Sequence, residues 1–158
     1  RGYNGLGWTA MRQSAFSQAI NHFSLASDFY DAWVGFAYLY WLKPANSQTD
    51  LQNNLQLSLA WLNFLDAHAA ELPNATYTPE FGHDQLTATN VLYLKTLIYA
   101  WKNDFANARQ ALLQIDPSLE ITNFIDLWSH LNLLNSESPT QKFNFTLPVK
   151  EYAHEKTF

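Results

Sequence analysis

The chain has no cysteine among its 158 residues, few charges and no long hydrophobic run. The missing cysteine excludes disulfides, thiol nucleophiles and thiolate metal sites, but says nothing about the redox compartment. Only nine lysines and arginines stand against fourteen acidic residues, for a net charge of −5. Nucleic acid is therefore not an expected partner, because no basic stripe could follow a phosphate backbone. No segment approaches the roughly 18 consecutive apolar residues of a transmembrane helix, so none is predicted.

Motifs that carry enzyme chemistry are also missing. The five histidines are scattered without a close pair at metal-ligand spacing. His83 precedes Asp84, which we interpret as the cap of a helix and not as half of a catalytic pair. Gly-x-Ser-x-Gly is absent, and Gly5-Leu6-Gly7 lacks the strand that precedes a phosphate loop. We therefore predict a non-enzymatic protein without catalytic residues, metal or cofactor.

Apolar and aromatic residues are abundant, at 47% and 16% of the chain, which suits one domain with a substantial core. The apolar residues recur at helical spacing, as in Leu51, Leu55 and Leu59, and Thr49 or Asp50 is expected to cap that helix. Seven helices are predicted, at about residues 3–11, 15–26, 31–42, 50–72, 84–102, 105–115 and 122–134.

Small and bulky residues alternate in a pattern that recurs along the first 117 residues. Small residues let two helices approach closely, and aromatic residues fill the gap to the next pair. The first copy consists of Leu6, Gly7, Phe16, Ala19, Phe23 and Ala26, the second of Val34, Gly35 and Tyr38, and the third of Tyr99, Phe105, Ala108 and Leu112. These spacings resemble the tetratricopeptide repeat (TPR), and their style is similar to repeat domains of bacterial envelope lipoproteins. Copy two departs from the pattern, because Trp61 and Phe64 replace small residues in its second helix.

The TPR resemblance implies a partner-binding groove on the concave side, formed by the first helix of each pair. Its lining would be Asn4, Trp8, Met11, Phe29, Ala32, Phe36, Leu39, Asn90, Tyr93 and Leu97. This set holds no lysine or arginine, so the cationic clamp that some family members use for a terminal carboxylate is missing. An apolar groove suits an extended apolar segment or another helix. The alternative is that these rings are simply core.

Near the end of the chain the large apolar residues recur at every second position. This pattern predicts an extended segment, and the chain offers no sheet for it to join. Burying each of its large apolar side chains would contribute about 1.5–3 kcal/mol, whereas ordering the backbone costs about 1–2 kcal/mol per residue. The segment therefore orders only if a groove of the same chain or of a neighbour receives it. We call residues 142–158 the C-terminal arm, and its docking residues are Phe143, Phe145, Leu147, Val149 and Tyr152.

The predicted fold is all-α, a short α–α superhelix of TPR-like hairpins at residues 1–135, followed by a linker and arm at 136–158. The first two helices are expected to leave an apolar face open at the N-terminal end. A chain that begins at Arg1 without Met suggests a removed leader or a longer precursor. Missing residues or another subunit would then cover this face.

The leading functional prediction is a self-assembling structural subunit, an oligomer or extracellular filament, whose arm docks on a neighbouring copy. One alternative is a monomeric adaptor that binds an apolar peptide or partner protein in its groove. Another is a carbohydrate-binding or carbohydrate-active helical domain, since aromatic residues suit sugar stacking. Scarce lysine and an Asn- and Ser-rich surface favour a location outside the cytoplasm, at the cell surface or secreted. Asn74 and Asn144 begin tripeptides that match the N-glycosylation acceptor.

Overall fold

The computed structural model describes residues 2–68 and 88–137 of the chain. Within those residues the fold is all-α, as predicted, with seven helices and no strand. The helices are α1 (Gly2–Arg12), α2 (Phe16–Ser24), α3 (Tyr30–Leu42), α4 (Gln48–Ala67), α5 (Ala88–Trp101), α6 (Phe105–Ile115) and α7 (Phe124–Glu137).

The helix bounds differ from the predicted ones at several ends. Helix α6 matches its prediction, but α4 begins earlier than expected, because Ser47 caps it by accepting a hydrogen bond from the amide of Asp50 at 3.0 Å. An extended serine is among the best helix caps, which is why Ser47 takes the role expected of Thr49 or Asp50. Helix α7 continues to Glu137, so the last residues before 138 are helical and not part of a linker. The proposed cap Asp84 lies outside the described residues.

Successive helices pack as three hairpins, α1–α2, α3–α4 and α5–α6, with α7 against the last. Each hairpin contacts the next, and the first helices α1, α3 and α5 also touch one another in order. This arrangement is that of a short helical-hairpin superhelix. Helix α3 lies at its centre and buries eight of its 13 residues, which explains why its sequence is apolar almost all round.

The first and third hairpins close with the same turn. Ser14 and Asn103 each take a left-handed backbone conformation, with φ of 58° and 61°. In each turn the amide of the next residue, Ala15 or Asp104, donates to the carbonyl five residues earlier at 2.9 Å. Such bonds satisfy carbonyls at a helix end. The recurrence of one turn in two hairpins supports a helical-repeat architecture within the described residues.

Phe23 joins the first three helices at two glycines. Its ring is fully buried and lies against α1 at Gly7 and against α3 at Gly35. A Cβ atom added at either glycine would lie 2.5 Å from a ring carbon of Phe23, much closer than van der Waals contact. The predicted role of Gly7 in close helix packing is thereby confirmed, and Gly35 serves the same ring from the other side.

Two polar contacts fix α4 against α3. The hydroxyl of Ser58, which is fully buried, donates to the carbonyl of Ala37 at 2.7 Å. The amide group of Asn54, also buried, donates to the carbonyl of Lys43 at 3.1 Å. Because buried polar groups without partners are costly, these bonds select one rotation of α4. That rotation decides which α4 side chains face outward.

Candidate interaction surface

Most of the residues predicted to line an open groove belong to the core instead. The buried members are Asn4, Trp8, Met11, Ala32, Phe36, Leu39 and Leu97. Trp8 illustrates the reason, since α1 contacts both α2 and α3, and the Trp8 ring lies edge-on to Phe23 at 5.6 Å and 6.3 Å from the ring of Tyr38. The expectation of an open groove is therefore wrong for these side chains, and the core alternative applies to them.

The remaining three predicted groove residues lie apart from one another. Phe29 is 38% exposed at the start of α3, whereas Asn90 and Tyr93 are part-buried on α5. The hydroxyl of Tyr93 donates to the carbonyl of Leu131 at 3.0 Å, and that of Tyr38 donates to the carbonyl of Asn90 at 3.2 Å. These bonds tie α5 to α7 and to α3.

Burial raises the pKa of the Tyr93 hydroxyl to about 12. The pKa of Tyr38 is raised as well, mainly by burial and further by the neighbouring Tyr93. Both hydroxyls are therefore protonated at neutral pH and act as donors to backbone carbonyls. They serve as structural links between helices.

A different set of side chains, mostly aromatic, reaches solvent on the second hairpin, and we call it the α3–α4 aromatic surface. Leu57, Tyr30 and Phe64 are its most exposed members, at 43%, 39% and 41%. Trp33, Trp61 and His68 are part-buried between them. The surface consists of Tyr30, Trp33, Leu57, Trp61, Phe64 and His68.

The rings of this surface contact one another without a break. Trp61 stacks on the buried Phe36 at 4.4 Å with an interplanar angle of 10°. Phe64 then contacts Trp61 at 5.9 Å, Trp33 at 4.8 Å and His68 at 4.2 Å between ring centroids. Edge-to-face and offset contacts of this kind stabilise aromatic pairs beyond their buried area. Contacts with the buried Phe36 and with one another therefore hold the outer rings in place.

Helix geometry and two backbone contacts position these side chains. Leu57, Trp61, Phe64 and His68 follow one another at steps of four, three and four, which places them on one face of α4. On α3, the indole nitrogen of Trp33 donates to the carbonyl of Ser27 at 2.7 Å. The turn before α3 consequently lies against the surface.

Acidic residues border the α3–α4 aromatic surface. Asp28 is exposed and follows the carbonyl that Trp33 binds, and Asp31 is in the first turn of α3. Asp66 on α4 is 55% exposed and pairs with Lys95 of α5, so part of its charge is compensated. Asp28 is therefore an exposed negative charge on the turn beside this surface.

One feature of the sequence marks this surface. Trp61 and Phe64 break the small-residue pattern of the second helix in copy two. A bulky residue where the repeat has a small one either forces the helices apart or turns outward. Here Phe64 turns outward, at 41% exposure, while Trp61 lies part-buried on Phe36.

A second apolar area lies on the first hairpin. Tyr3 and Leu6 of α1 are 50% and 49% exposed, in agreement with the expected open face of the first helices. On α7, Ile125 is 78% exposed. The docking residues of the C-terminal arm and the candidate glycosylation sites Asn74 and Asn144 lie outside the described residues.

Within residues 2–68 and 88–137, no three His, Asp or Glu residues group closely enough to hold a metal ion. No helix in that part of the chain combines the length and apolarity needed to cross a bilayer. In comparisons with protein-family models, curated proteins and solved structures, nothing matches the chain.

Proposed function

We propose that the chain is a non-enzymatic protein–protein interaction module that assembles with copies of itself into an oligomer or filament. In this proposal its hairpins are TPR-like and its C-terminal arm docks on a neighbouring subunit. The α3–α4 aromatic surface is the observation that carries the proposal. It combines five aromatic side chains with Leu57, and its members Tyr30, Leu57 and Phe64 are about 40% exposed.

The composition of this surface favours a polypeptide partner. Aromatic residues are enriched at protein–protein contacts, where they supply much buried area for little conformational entropy. The exposed Phe64 and Tyr30 are held by ring contacts at 4.8 Å and 5.8 Å to Trp33. Since these rings are already ordered, a partner loses little affinity by immobilising them.

A suitable donor lies in the same chain. The C-terminal arm places five large apolar side chains at alternating or nearby positions, a pattern that needs a receiving surface. When one subunit donates its arm to the next, the contact joins two different surfaces. Such a heterologous contact closes into a ring or continues as a filament.

Light scattering on the full chain tests the proposal. The average mass should rise between about 1 μM and about 1 mM, the range of modest protein affinities, and the double variant Phe143→Ser with Phe145→Ser should stay monomeric. Ile125→Ser is the matched control, because it also removes an exposed apolar side chain, and it should assemble normally. A chain that is monomeric throughout the range would contradict the proposal, as would a double variant that assembles like the unmodified chain.

Carbohydrate binding is the second candidate, since the exposed rings of Tyr30 and Phe64 could stack on sugars. A glycan panel should then give binding that the Phe64→Ser variant loses. The monomeric adaptor is less supported, because most of the groove that it would use is buried. A location outside the cytoplasm stays part of the proposal. Intact mass after secretion would show whether Asn74 or Asn144 carries a glycan.

A further inference from the structure

Two exposed apolar areas could receive the arm, and their charges differ. One is Tyr3 and Leu6 on α1, and the other is the α3–α4 aromatic surface. Residues 1–27 contain Arg1 and Arg12 but no aspartate or glutamate. The α3–α4 aromatic surface is bordered by the exposed Asp28. The first area therefore lies in a segment of the sequence without a negative charge, whereas the second lies beside one.

The arm has the opposite charge to the rest of the chain. Residues 142–158 hold three lysines, at 142, 150 and 156, and two glutamates, for a net charge of +1. With −5 for the whole chain, the remaining residues carry −5 − 1 = −6. Charge complementarity of this kind selects partners and speeds encounter more than it adds affinity. It favours the α3–α4 aromatic surface over α1 as the receptor.

We propose that the α3–α4 aromatic surface receives the C-terminal arm of a second copy of this chain. The apolar residues of the arm lie on Trp33, Trp61 and Phe64, and its lysines lie beside Asp28 and the ring faces, which also attract cations. This inference rests on the proposed self-assembly and specifies where the arm binds. The 21 residues from 138 to 158 span up to about 70 Å when extended, enough to reach a neighbouring subunit.

Cross-linking tests the location, because a chain without cysteine accepts single cysteines as unique probes. Asn63→Cys is exposed beside Phe64, and Asn144→Cys is in the arm. The two single variants are mixed and treated with a short bismaleimide, and intact mass should show a heterodimer. Gly2→Cys replaces Asn63→Cys in one control, since nothing lies within 4 Å of a Cβ at Gly2 on α1. Ala106→Cys, exposed on α6, replaces it in the other.

Each outcome of this experiment has one meaning. A product of Asn144→Cys with Gly2→Cys or Ala106→Cys at equal or greater yield overturns the location. In a chain carrying both Asn63→Cys and Asn144→Cys, an intramolecular product at high dilution places the arm on its own chain and overturns the second-copy assignment. If light scattering shows assembly but the 63–144 product is missing, this inference fails while the proposed function stands. If no assembly occurs, both fail.

A charge reversal tests the electrostatic part. Asp28→Lys should raise the dissociation constant of the assembly about fivefold, the size expected for one exposed charge at an interface, and added salt should reduce the difference. Glu120→Lys changes the net charge equally, but Glu120 is exposed on the connection between α6 and α7 and belongs to no part of the second hairpin. It should leave the dissociation constant unchanged. Equal effects of both variants would show that net charge alone matters and would overturn the assignment of Asp28.

Discussion

Phe23 and Phe64 are the same residue type on the second helices of adjacent hairpins, yet they have opposite environments. Phe23 is fully buried between two glycines, whereas Phe64 is 41% exposed at the outer end of a chain of rings. Residues of the same chain enclose the ring of Phe23 fully. The surroundings of Phe64 leave a large ring partly in water, and in the proposed assembly a second copy of the chain covers it.

The two environments also differ in what holds the ring. Glycines let α1 and α3 close on Phe23, so its position depends on the absence of side chains at Gly7 and Gly35. Phe64 depends on the presence of side chains, since Trp33, Trp61 and His68 surround it. Substitutions should therefore affect folding at the first site and association at the second.

Replacing the two phenylalanines should give the largest difference. Phe23→Ala should lower the free energy of unfolding by about 3–5 kcal/mol, because it leaves a cavity among three helices. Phe64→Ala should lower it by about 1 kcal/mol or less, as for an exposed position. Urea unfolding followed by circular dichroism, at a concentration where the chain is monomeric, measures both. Equal losses would break the comparison, since Phe64 would then be a core residue.

Adding one methyl group at the glycines should have the next largest effect. Gly7→Ala or Gly35→Ala places a Cβ against the ring of Phe23, and overpacking typically costs about 1–3 kcal/mol. Part of this loss is offset, because alanine favours a helix over glycine by up to about 1 kcal/mol. Gly2→Ala is the control, since its Cβ meets nothing within 4 Å and it should be neutral or slightly stabilising. A Gly7→Ala variant as stable as Gly2→Ala would mean that the ring of Phe23 moves freely.

A smaller effect is expected at Tyr93, which is neither fully buried nor exposed. The pKa of its hydroxyl is about 12 in the folded chain and about 10 in the unfolded chain. Between pH 10 and pH 12 the folded state therefore keeps the hydroxyl proton, whereas the unfolded state loses it. The stability from this group is complete below pH 10 and is lost as the pH rises toward 12. Tyr93→Phe should cost about 1 kcal/mol at pH 7 through the lost hydrogen bond to Leu131, and should make unfolding less dependent on pH between 10 and 12.

Urea unfolding at pH 9, 10 and 11 provides the measurement, together with the tyrosinate absorbance of the folded chain. Tyr38 remains in the variant and also has a raised pKa, so the pH dependence should decrease without disappearing. An unchanged dependence in Tyr93→Phe would contradict the assigned pKa.

Within the described parts of the chain, the sequence predicted the seven helices and the close packing at Gly7, because these follow from local spacing and from side-chain size. It did not predict which apolar residues face outward. The spacing of apolar residues places Trp8 on α1. It does not show that α1 contacts α3 directly, and this contact buries Trp8. The cap at Ser47 was missed because several candidate caps stand in a row, and backbone conformation decides among them.

The outward surface was missed for a related reason. A family-like pattern assigned partner binding to the first helix of each pair, whereas the exposed rings lie at the start of α3 and along α4. Ser58 and Asn54 set the rotation of α4 through bonds to backbone carbonyls far along the chain. Such long-range bonds have no local sequence pattern.

Sedimentation velocity of the full chain and of Phe64→Ser over a range of concentrations tests the central claim most directly. We expect the unmodified chain to form larger species as its concentration rises, and Phe64→Ser to remain monomeric with a melting temperature within a few degrees of the original, as for an exposed substitution. Sedimentation profiles of Phe64→Ser that coincide with those of the unmodified chain at every concentration would contradict the claim that the α3–α4 aromatic surface is where copies of this protein meet.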